Sequence, residues 1–158
     1  MKRKDKVSIG WQEWCSLPEL KIPAIKARID TGAKTSALHA FNVSEFVRNQ
    51  HKWVKFELHP IQGRDDICCQ CKAPLIDIRK VISSNGHFEH RYVIKTALTL
   101  GALSWEIEVT LSNRDPLQFR MLLGREALSS RVIIDPAKKM RQGKLHHREL
   151  LSLYFYGE

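Results

Sequence analysis

The sequence predicts one mostly β domain folded as a compact barrel, and three observations support this prediction. Short segments alternate apolar and polar residues with a period of two, as in residues 54–58 and 105–111, which is typical of half-buried strands. Glycine-containing turn signals separate several of these segments. Signals for helices are sparse. A chain of 158 residues is long enough to bury a hydrophobic core in one such domain.

The strands follow one another through recognisable turns. Residues 25–29 alternate in the same way and end at Asp30. Gly101 separates residues 97–100 from the strand that begins near Trp105, which predicts a hairpin. The run Ser83-Ser84-Asn85-Gly86 is a strong turn signal. It predicts a second hairpin over about residues 75–95.

Two short helices and a C-terminal extension complete the prediction. Residues 125–131 are expected to form a short helix after Gly124, and residues 45–50 a turn or two of helix. Residues 1–135 are expected to form the single domain. Residues 136–158 form a basic extension, which is either loose or adds a final strand through residues 150–156.

The composition limits the classes of function. Hydrophobic residues make up 43% of the chain, as in globular proteins, and no run of about 18 apolar residues predicts a membrane span. The N-terminus lacks the apolar part of a secretion signal, so we expect a cytoplasmic location. The formal charge of +9 fits either a solvated basic surface or an acidic partner such as nucleic acid, a ribosome or an acidic peptide.

The four cysteines do not form the pattern of a disulfide framework. Cys68, Cys69 and Cys71 crowd together, and a cytoplasmic chain is expected to keep its thiols reduced. Their C-C-x-C spacing differs from the C-x-x-C spacing of zinc sites, although His87 and His90 lie downstream. We therefore rank a zinc-dependent hydrolase third among the candidate functions, and we predict no metal site.

The run Ile29-Asp30-Thr31-Gly32-Ala33 has the residue types of a catalytic loop. A carboxylate at the end of a strand can point into a cleft, and glycine lets the backbone turn closely beside it. The Thr31 hydroxyl can both donate and accept, so it can lock two neighbouring loops together. Two adjacent carboxylates share one proton, which lets one activate a water while the other protonates a carbonyl oxygen.

This loop resembles that of the retropepsin-type aspartic peptidases, and Leu122-Leu123-Gly124-Arg125 resembles their second signature. The resemblance implies a closed acid-protease barrel with one short helix after the second signature. It implies that Asp30 is catalytic, that the hairpin around residues 83–90 covers the substrate, and that Arg125 contributes to subunit contacts. Residues supporting the catalytic loop would be Thr31, Gly32, Leu123 and Gly124. Substrate would be bound by Ala33, Lys34, Ser84, Gly86 and Arg91.

The chain is still more similar to a bacterial subfamily labelled as ATP-dependent zinc proteases. The similarity is carried by residues 9–14, 29–40, 91–96, 107–111 and 122–125. The label disagrees with the chemistry, because the chain has neither an H-E-x-x-H zinc helix nor a phosphate-binding P-loop. No cofactor is therefore predicted. Members of the subfamily are known fused to, or encoded beside, ATP-grasp ligases that add glutamates to proteins, which implies a functional link to such a ligase.

These features lead to a specific expectation of function. The chain has one Asp-Thr-Gly, so a pair of carboxylates needs a second copy of the chain and predicts a homodimer. The ligase link and the positive charge favour a peptide or protein substrate with acidic glutamyl tails. The carboxylates of this substrate would be bound by Arg28, Lys34, Arg79, Lys80 and Arg91. The alternative is a catalytically silent binding module for an acidic partner such as a ribosome, nucleic acid or an ATP-grasp ligase.

Overall fold

Strands dominate the computed structural model, which describes residues 6–82, 86–113 and 119–155. Of these residues, 56% lie in strands, as the alternating patterns predicted. In chain order the strands are β1 (Val7–Ile9), β2 (Gln12–Leu17), β3 (Ile22–Ile29), β4 (Ser36–His39), β5 (Phe41–Arg48), β6 (His51–Leu58), β7 (Cys69–Ile82), β8 (Phe88–Leu100), β9 (Leu103–Ser112), β10 (Met121–Leu123) and β11 (Val132–Ile134). The helices are α1 (Arg125–Leu128) and α2 (His147–Phe155).

Six strands close into the predicted barrel. Their order is β2-β3-β10-β4-β9-β8, and the ring closes where Ser16 of β2 pairs with Thr99 of β8. The short strand β10 lies between β3 and β4, parallel to the first and antiparallel to the second. The interior is filled by fully buried apolar side chains, among them Ile25, Leu38 and Leu98. Closure leaves no free edge within this ring of six strands.

Two long hairpins extend the barrel wall. Strands β8 and β9 pair antiparallel around Gly101, so the first predicted hairpin is confirmed. Strands β7 and β8 also pair antiparallel over most of their length, which confirms the second. The tip residues 83–85 lie outside the described residues. Beyond β7, strands β6 and β5 continue the same sheet as an added hairpin.

The expected helix at residues 45–50 is wrong. These residues lie in β5 and in the turn that follows it. Asn49 and Gln50 have positive φ angles of 51° and 67°. This is the geometry of a two-residue turn whose twist matches a hairpin. The β-branched and aromatic residues around it, such as Val47 and Trp53, favour strands on both sides of the turn.

The expected final strand over residues 150–156 is also wrong, because residues 147–155 form helix α2. Leu150 and Tyr154 are one helical turn apart and face β3, where the Tyr154 hydroxyl donates a hydrogen bond to the Ala24 carbonyl. Glu149 lies in the first turn, where a carboxylate favours a helix. No helix within the described ranges is long and apolar enough to cross a membrane.

A buried carboxylate joins the region after Asp135 to the N-terminal strands. Glu13 in β2 is 0% exposed, and its two oxygens accept hydrogen bonds from the backbone N–H groups of Gly10 at 2.8 Å, Arg141 at 2.9 Å and Gln142 at 3.0 Å. A side chain at position 10 would collide with the Lys138 carbonyl oxygen at 2.1 Å. The proposed division at residue 135 stays a prediction, but these contacts tie both parts together.

Candidate active site

Asp30 lies directly after β3, half-buried, where the chain leaves the barrel wall. Strand β10 runs parallel to β3, with Leu123 in register with Ile29. The Leu123 carbonyl accepts a hydrogen bond of 2.9 Å from the Asp30 backbone N–H. The end of β10 therefore determines where the Asp30 backbone lies.

The loop after Asp30 folds back onto its carboxylate. The Gly32 backbone N–H donates to Asp30 Oδ1 at 3.1 Å, and the Ala33 N–H donates to the Asp30 carbonyl at 3.2 Å. This arrangement is an Asx turn, in which a short acidic side chain accepts from the backbone two residues later. It holds the Asp30 side chain in one orientation, and no residue in the described ranges donates a hydrogen bond to Oδ2.

Helix α1 and its preceding glycine hold the loop from the other side. The backbone N–H groups of Arg125 and Glu126 donate to the carbonyls of Ala33 and Lys34 at 2.8 and 3.1 Å. The Arg125 guanidinium also donates to the Thr31 carbonyl at 2.9 Å. Arg125 was expected at a subunit contact, which stays a prediction. Within the chain, it clamps the Asp30 loop.

Gly124 is required by the close approach of two backbones. A Cβ atom at this position would lie 2.7 and 2.8 Å from the carbonyl carbon and oxygen of Thr35, and 2.9 Å from the Ala33 carbonyl oxygen. The Gly124 N–H donates to the hydroxyl of Ser36, a buried residue, at 3.0 Å. Ser36 was not among the predicted site residues. The role of Ser36 in supporting the loop is visible only from its buried contact with Gly124.

We expect Gly124→Ala to damage the Asp30 loop, because backbone atoms rather than flexible side chains occupy the space of the new methyl group. The expected cost is about 2–3 kcal/mol of unfolding free energy, as for overpacking of a tight site. Chemical denaturation of the variant measures this loss. Gly63→Ala is the comparison: nothing lies within 4 Å of a Cβ there, but its φ of 81° disfavours alanine, so we expect a smaller loss of about 1 kcal/mol. Equal stability losses in the two variants would contradict the tight-contact explanation.

The outer part of the loop is open to solvent. Thr31 and Gly32 are exposed, and no residue that the structure describes forms a hydrogen bond with the Thr31 hydroxyl. The Lys34 side chain is 73% exposed and makes an ion pair of 3.6 Å with Glu126. The edge of the site that carries these residues is thus available to a second chain or to a substrate.

The remaining predicted substrate-binding residues lie on the β7–β8 hairpin. Gly86 is exposed, with a φ of 83°, and Ser84 lies outside the described residues. Arg91 is 18% exposed and donates to Glu89 Oε1 at 2.6 Å. Arg91 also lines a cavity of about 160 Å³ together with Leu122 of β10 and Ala37 of β4. The structure therefore brings Arg91, but not Gly86, beside the strand that supports Asp30.

The cysteines do not form a metal-binding cluster in the described part of the chain. No group of three His, Cys, Asp or Glu side chains comes together there in a way that would hold an ion. Burial raises the pKa of Cys69 to about 11 and that of Cys71 to about 12. Because thiolates rather than thiols bind metals, the zinc reading has no suitable ligand set among these residues.

Comparisons with known proteins agree with this geometry. The family model described as "Retropepsin-like aspartic endopeptidase RimB" matches residues 8–145. A protein of Shewanella halifaxensis named probable alpha-L-glutamate ligase is 48% identical over 150 residues, covering 95% of this chain and 33% of the relative. A protein of Desulfotalea psychrophila with the same name is 51% identical over 146 residues, covering 92% of this chain and 32% of the relative.

The chain thus spans about a third of the length of these relatives. A crystal structure of a Legionella pneumophila protein of unknown function superposes with a TM-score of 0.74 and 25% identity, covering 86% of this chain and 98% of the other. The barrel, the Asp30 loop and the family match over residues 8–145 all indicate the same family. The chain belongs to the RimB-like family of retropepsin-like aspartic endopeptidases.

Proposed function

We propose that the protein is an aspartic-type peptidase whose active site forms when two chains bring their Asp30 residues together. The observation that carries the proposal is the clamped loop around Asp30. Its backbone is held by Leu123, Ala33 and the start of α1, while Thr31 and Gly32 face solvent. A rigid carboxylate at an exposed edge is what a shared site between two chains requires.

The chemistry follows from the pairing of two carboxylates. In close contact they share one proton, because both cannot be ionised together. The ionised carboxylate removes a proton from a water, which attacks the peptide carbonyl, and the protonated carboxyl donates to the carbonyl oxygen. The tetrahedral intermediate then collapses: one of its hydroxyls returns a proton to the second carboxylate, the C–N bond breaks, and the leaving nitrogen takes the proton held by the first. No covalent intermediate forms. The β7–β8 hairpin closes over the substrate and excludes bulk water.

A symmetric dimer supplies the second Asp30. The chain has one Asp-Thr-Gly, and a two-fold axis brings identical residues of two chains together. The Thr31 hydroxyl then bonds to the partner loop, which accounts for its exposure in the single chain. Arg125 stays a clamp on the Thr31 carbonyl and holds the interface edge of the loop in place.

Mixing subunits tests the shared site directly. Wild-type chains refolded with a growing share of Asp30→Asn chains should lose activity as the square of the wild-type fraction, because an active dimer needs two intact Asp30 residues. Peptide hydrolysis and solution mass are measured on the same samples. A linear fall in activity, or full activity in a monomeric fraction, would mean that each chain has its own site.

Acidic glutamyl tails are the proposed substrate class. The relatives that share this segment are named probable alpha-L-glutamate ligases, which supports a link to glutamate addition. The cavity beside β10 is lined by Arg91, Arg120 and His39, so a side-chain carboxylate entering it would meet basic groups. Arg79 is less suited to bind the substrate, because it lies outside the cavity and its guanidinium binds two carboxylates, Asp77 and Glu108, whereas that of Arg91 binds one, Glu89.

We expect Arg91→Met to reduce the preference for glutamyl over glutaminyl peptides by about 10-fold, the effect of losing one charge-assisted hydrogen bond. The ratio of kcat/KM for the two peptides measures this preference. Arg79→Met serves as the matched control, because Arg79 is on the same hairpin but outside the cavity. A wild-type enzyme that cleaves both peptides equally well would refute the glutamyl specificity and leave the peptidase proposal standing.

A silent binding module is the second candidate, and the names of the relatives favour it. They are named as ligases, and this segment covers about a third of each, so the barrel there accompanies another activity. Binding of a glutamylated protein without any cleavage, by wild type and Asp30→Asn alike, would support this candidate. The four free cysteines are typical of a reducing compartment, which supports a cytoplasmic location for either function.

A further inference from the structure

We propose that a basic cleft on the outer face of strands β6 and β7 binds single-stranded nucleic acid. The cleft has a volume of about 620 Å³ and lies where the β5–β6 hairpin meets the barrel wall. None of its lining residues belongs to the Asp30 loop, β10 or α1. The side chains that carry the argument are Lys21, Arg48, Trp53, Lys72 and Lys95, all at the rim or wall of the cleft.

An aromatic pair extends from the cleft across the outer face. Phe46 of β5 lies directly opposite Trp53 of β6, with ring centroids 6.2 Å apart. The neighbouring residues Val54 and Phe56 are buried on the barrel side, so Trp53 faces outward because side chains alternate along a strand. Both rings are half-exposed, and Arg48 lies over each of them. An unpaired base would join this stack beside the guanidinium or in its place, as on the aromatic platforms of proteins that bind single strands.

The cations around the rings lack carboxylate partners. Lys21, Arg48 and Lys72 form no ion pair with any residue in the described ranges. The two acidic residues of the cleft are already engaged. Glu19 accepts a hydrogen bond from the Ala97 N–H at 2.7 Å, and Glu106 pairs with Lys95 at 3.7 Å. The cleft therefore has an excess of positive charge available to an anion.

Two further observations indicate which kind of anion would bind. Lys55 and Lys72 lie directly opposite each other on β6 and β7, and like charges at such positions repel. A bound phosphate would relieve this repulsion. The Arg48 guanidinium lies 4.5 Å from the centre of the Trp53 ring. A planar cation stacked on an aromatic ring contributes in the same way when bases stack in such grooves.

The aromatic rings favour nucleic acid over an acidic peptide. The face of an aromatic ring carries partial negative charge, so a carboxylate gains nothing from Trp53 or Phe46 and binds only the cations around them, whereas a base also stacks on the rings. Phosphates spaced along a strand can reach Arg48 and Lys72, which lie over the rings, and Lys21 elsewhere in the cleft. An acidic peptide would gain only the charge contacts, which are sequence-independent and screened by salt.

Fluorescence anisotropy with a labelled single-stranded oligonucleotide of about 10 nucleotides tests the proposal. Trp53→Ala should weaken binding about 10-fold, the effect of one lost stacking contact. Lys72→Glu should weaken it further and reduce the slope of log affinity against log salt by about one. Phe88→Ala is the matched control, because Phe88 also carries a lysine over its ring, at 4.2 Å, but lies outside the cleft.

Poly-L-glutamate of equal charge serves as the competitor. The proposal requires that poly-L-glutamate displaces the oligonucleotide only weakly. It also requires that Trp53→Ala leaves the affinity of the protein for poly-L-glutamate unchanged. Equal competition by poly-L-glutamate would identify the cleft as a site for acidic peptides and overturn the proposal. Oligonucleotide binding that is absent, or unchanged in Lys72→Glu, would also overturn it. Lys72 is exposed, so this variant tests the cleft even if Trp53→Ala unfolds the protein.

Discussion

Replacing Asp30 by asparagine should lower peptide hydrolysis by at least about 10³-fold, since general acid–base catalysis contributes about 10²–10⁴-fold and both members of the proposed pair are lost. An amide cannot accept the proton of the attacking water. The fold should survive, because asparagine keeps the Oδ1 atom that accepts the Gly32 N–H at 3.1 Å. Hydrolysis rates and thermal unfolding of the purified variant measure the two effects.

Asp135→Asn is a close control for this substitution. Asp135 accepts a backbone N–H two residues later, from Ala137 to Oδ1 at 3.0 Å, in the same type of turn. It should keep wild-type activity, because it has no part in the Asp30 loop. An Asp30→Asn protein that folds and retains full activity would contradict the shared-carboxylate mechanism. Equal losses in both variants would attribute the effect to the turn rather than to the carboxylate.

Replacing Glu13 by glutamine should lower the free energy of unfolding by about 3 kcal/mol. The Glu13 carboxylate is buried, and both oxygens accept backbone N–H groups, two at Oε2 and one at Oε1. Glutamine places an NH₂ group against at least one of these donors and removes the charge. Hydrogen bonds to charged groups are worth about 1.5–3 kcal/mol each. Urea unfolding measures the loss, with the dependence of the unfolding free energy on urea concentration expected to be the same in both proteins.

Glu45→Gln provides the comparison for Glu13. Glu45 is an exposed residue on β5, and surface substitutions usually change stability by less than about 0.5 kcal/mol. A loss below about 1 kcal/mol in Glu13→Gln would contradict the view that this carboxylate joins the region after Asp135 to β2. The variant is also expected to expose residues 138–142 to proteolysis before the barrel itself unfolds.

The sequence could predict the features that depend on neighbouring residues. Alternation and turn signals were sufficient for strands β3, β6 and β9 and for the hairpins β7–β8 and β8–β9, but they did not predict the barrel strands β2 and β4. The same reasoning failed at Asn49-Gln50, because a two-residue turn usually contains glycine, and Gln50 adopts a positive φ without it. Residues 150–156 were ambiguous, since closely spaced leucines satisfy a strand or a helix until β3 provides the face against which α2 packs.

The candidate site was predictable only in part for the same reason. Asp30 and Gly124 belong to short motifs that can be recognised from their own residues. Ser36 and Glu13 have no such motif, and their hydrogen bonds join residues 88 and 128 positions apart in the chain. Only the folded barrel brings these partners together. The roles of Thr31 in supporting the loop, of Lys34 and Arg91 in substrate binding and of Arg125 in a dimer contact remain predictions.

The insertion of β10 between β3 and β4 has a consequence for the order of folding. The Asp30 backbone is held by Leu123, more than 90 residues later in the chain, and such distant contacts form slowly because a long loop must close first. While the chain is being synthesised, the Asp30 loop has no support until residues 121–126 have left the ribosome. Under the proposed peptidase function, a nascent chain therefore has no activity before this point, and maturation of the loop coincides with completion of the barrel.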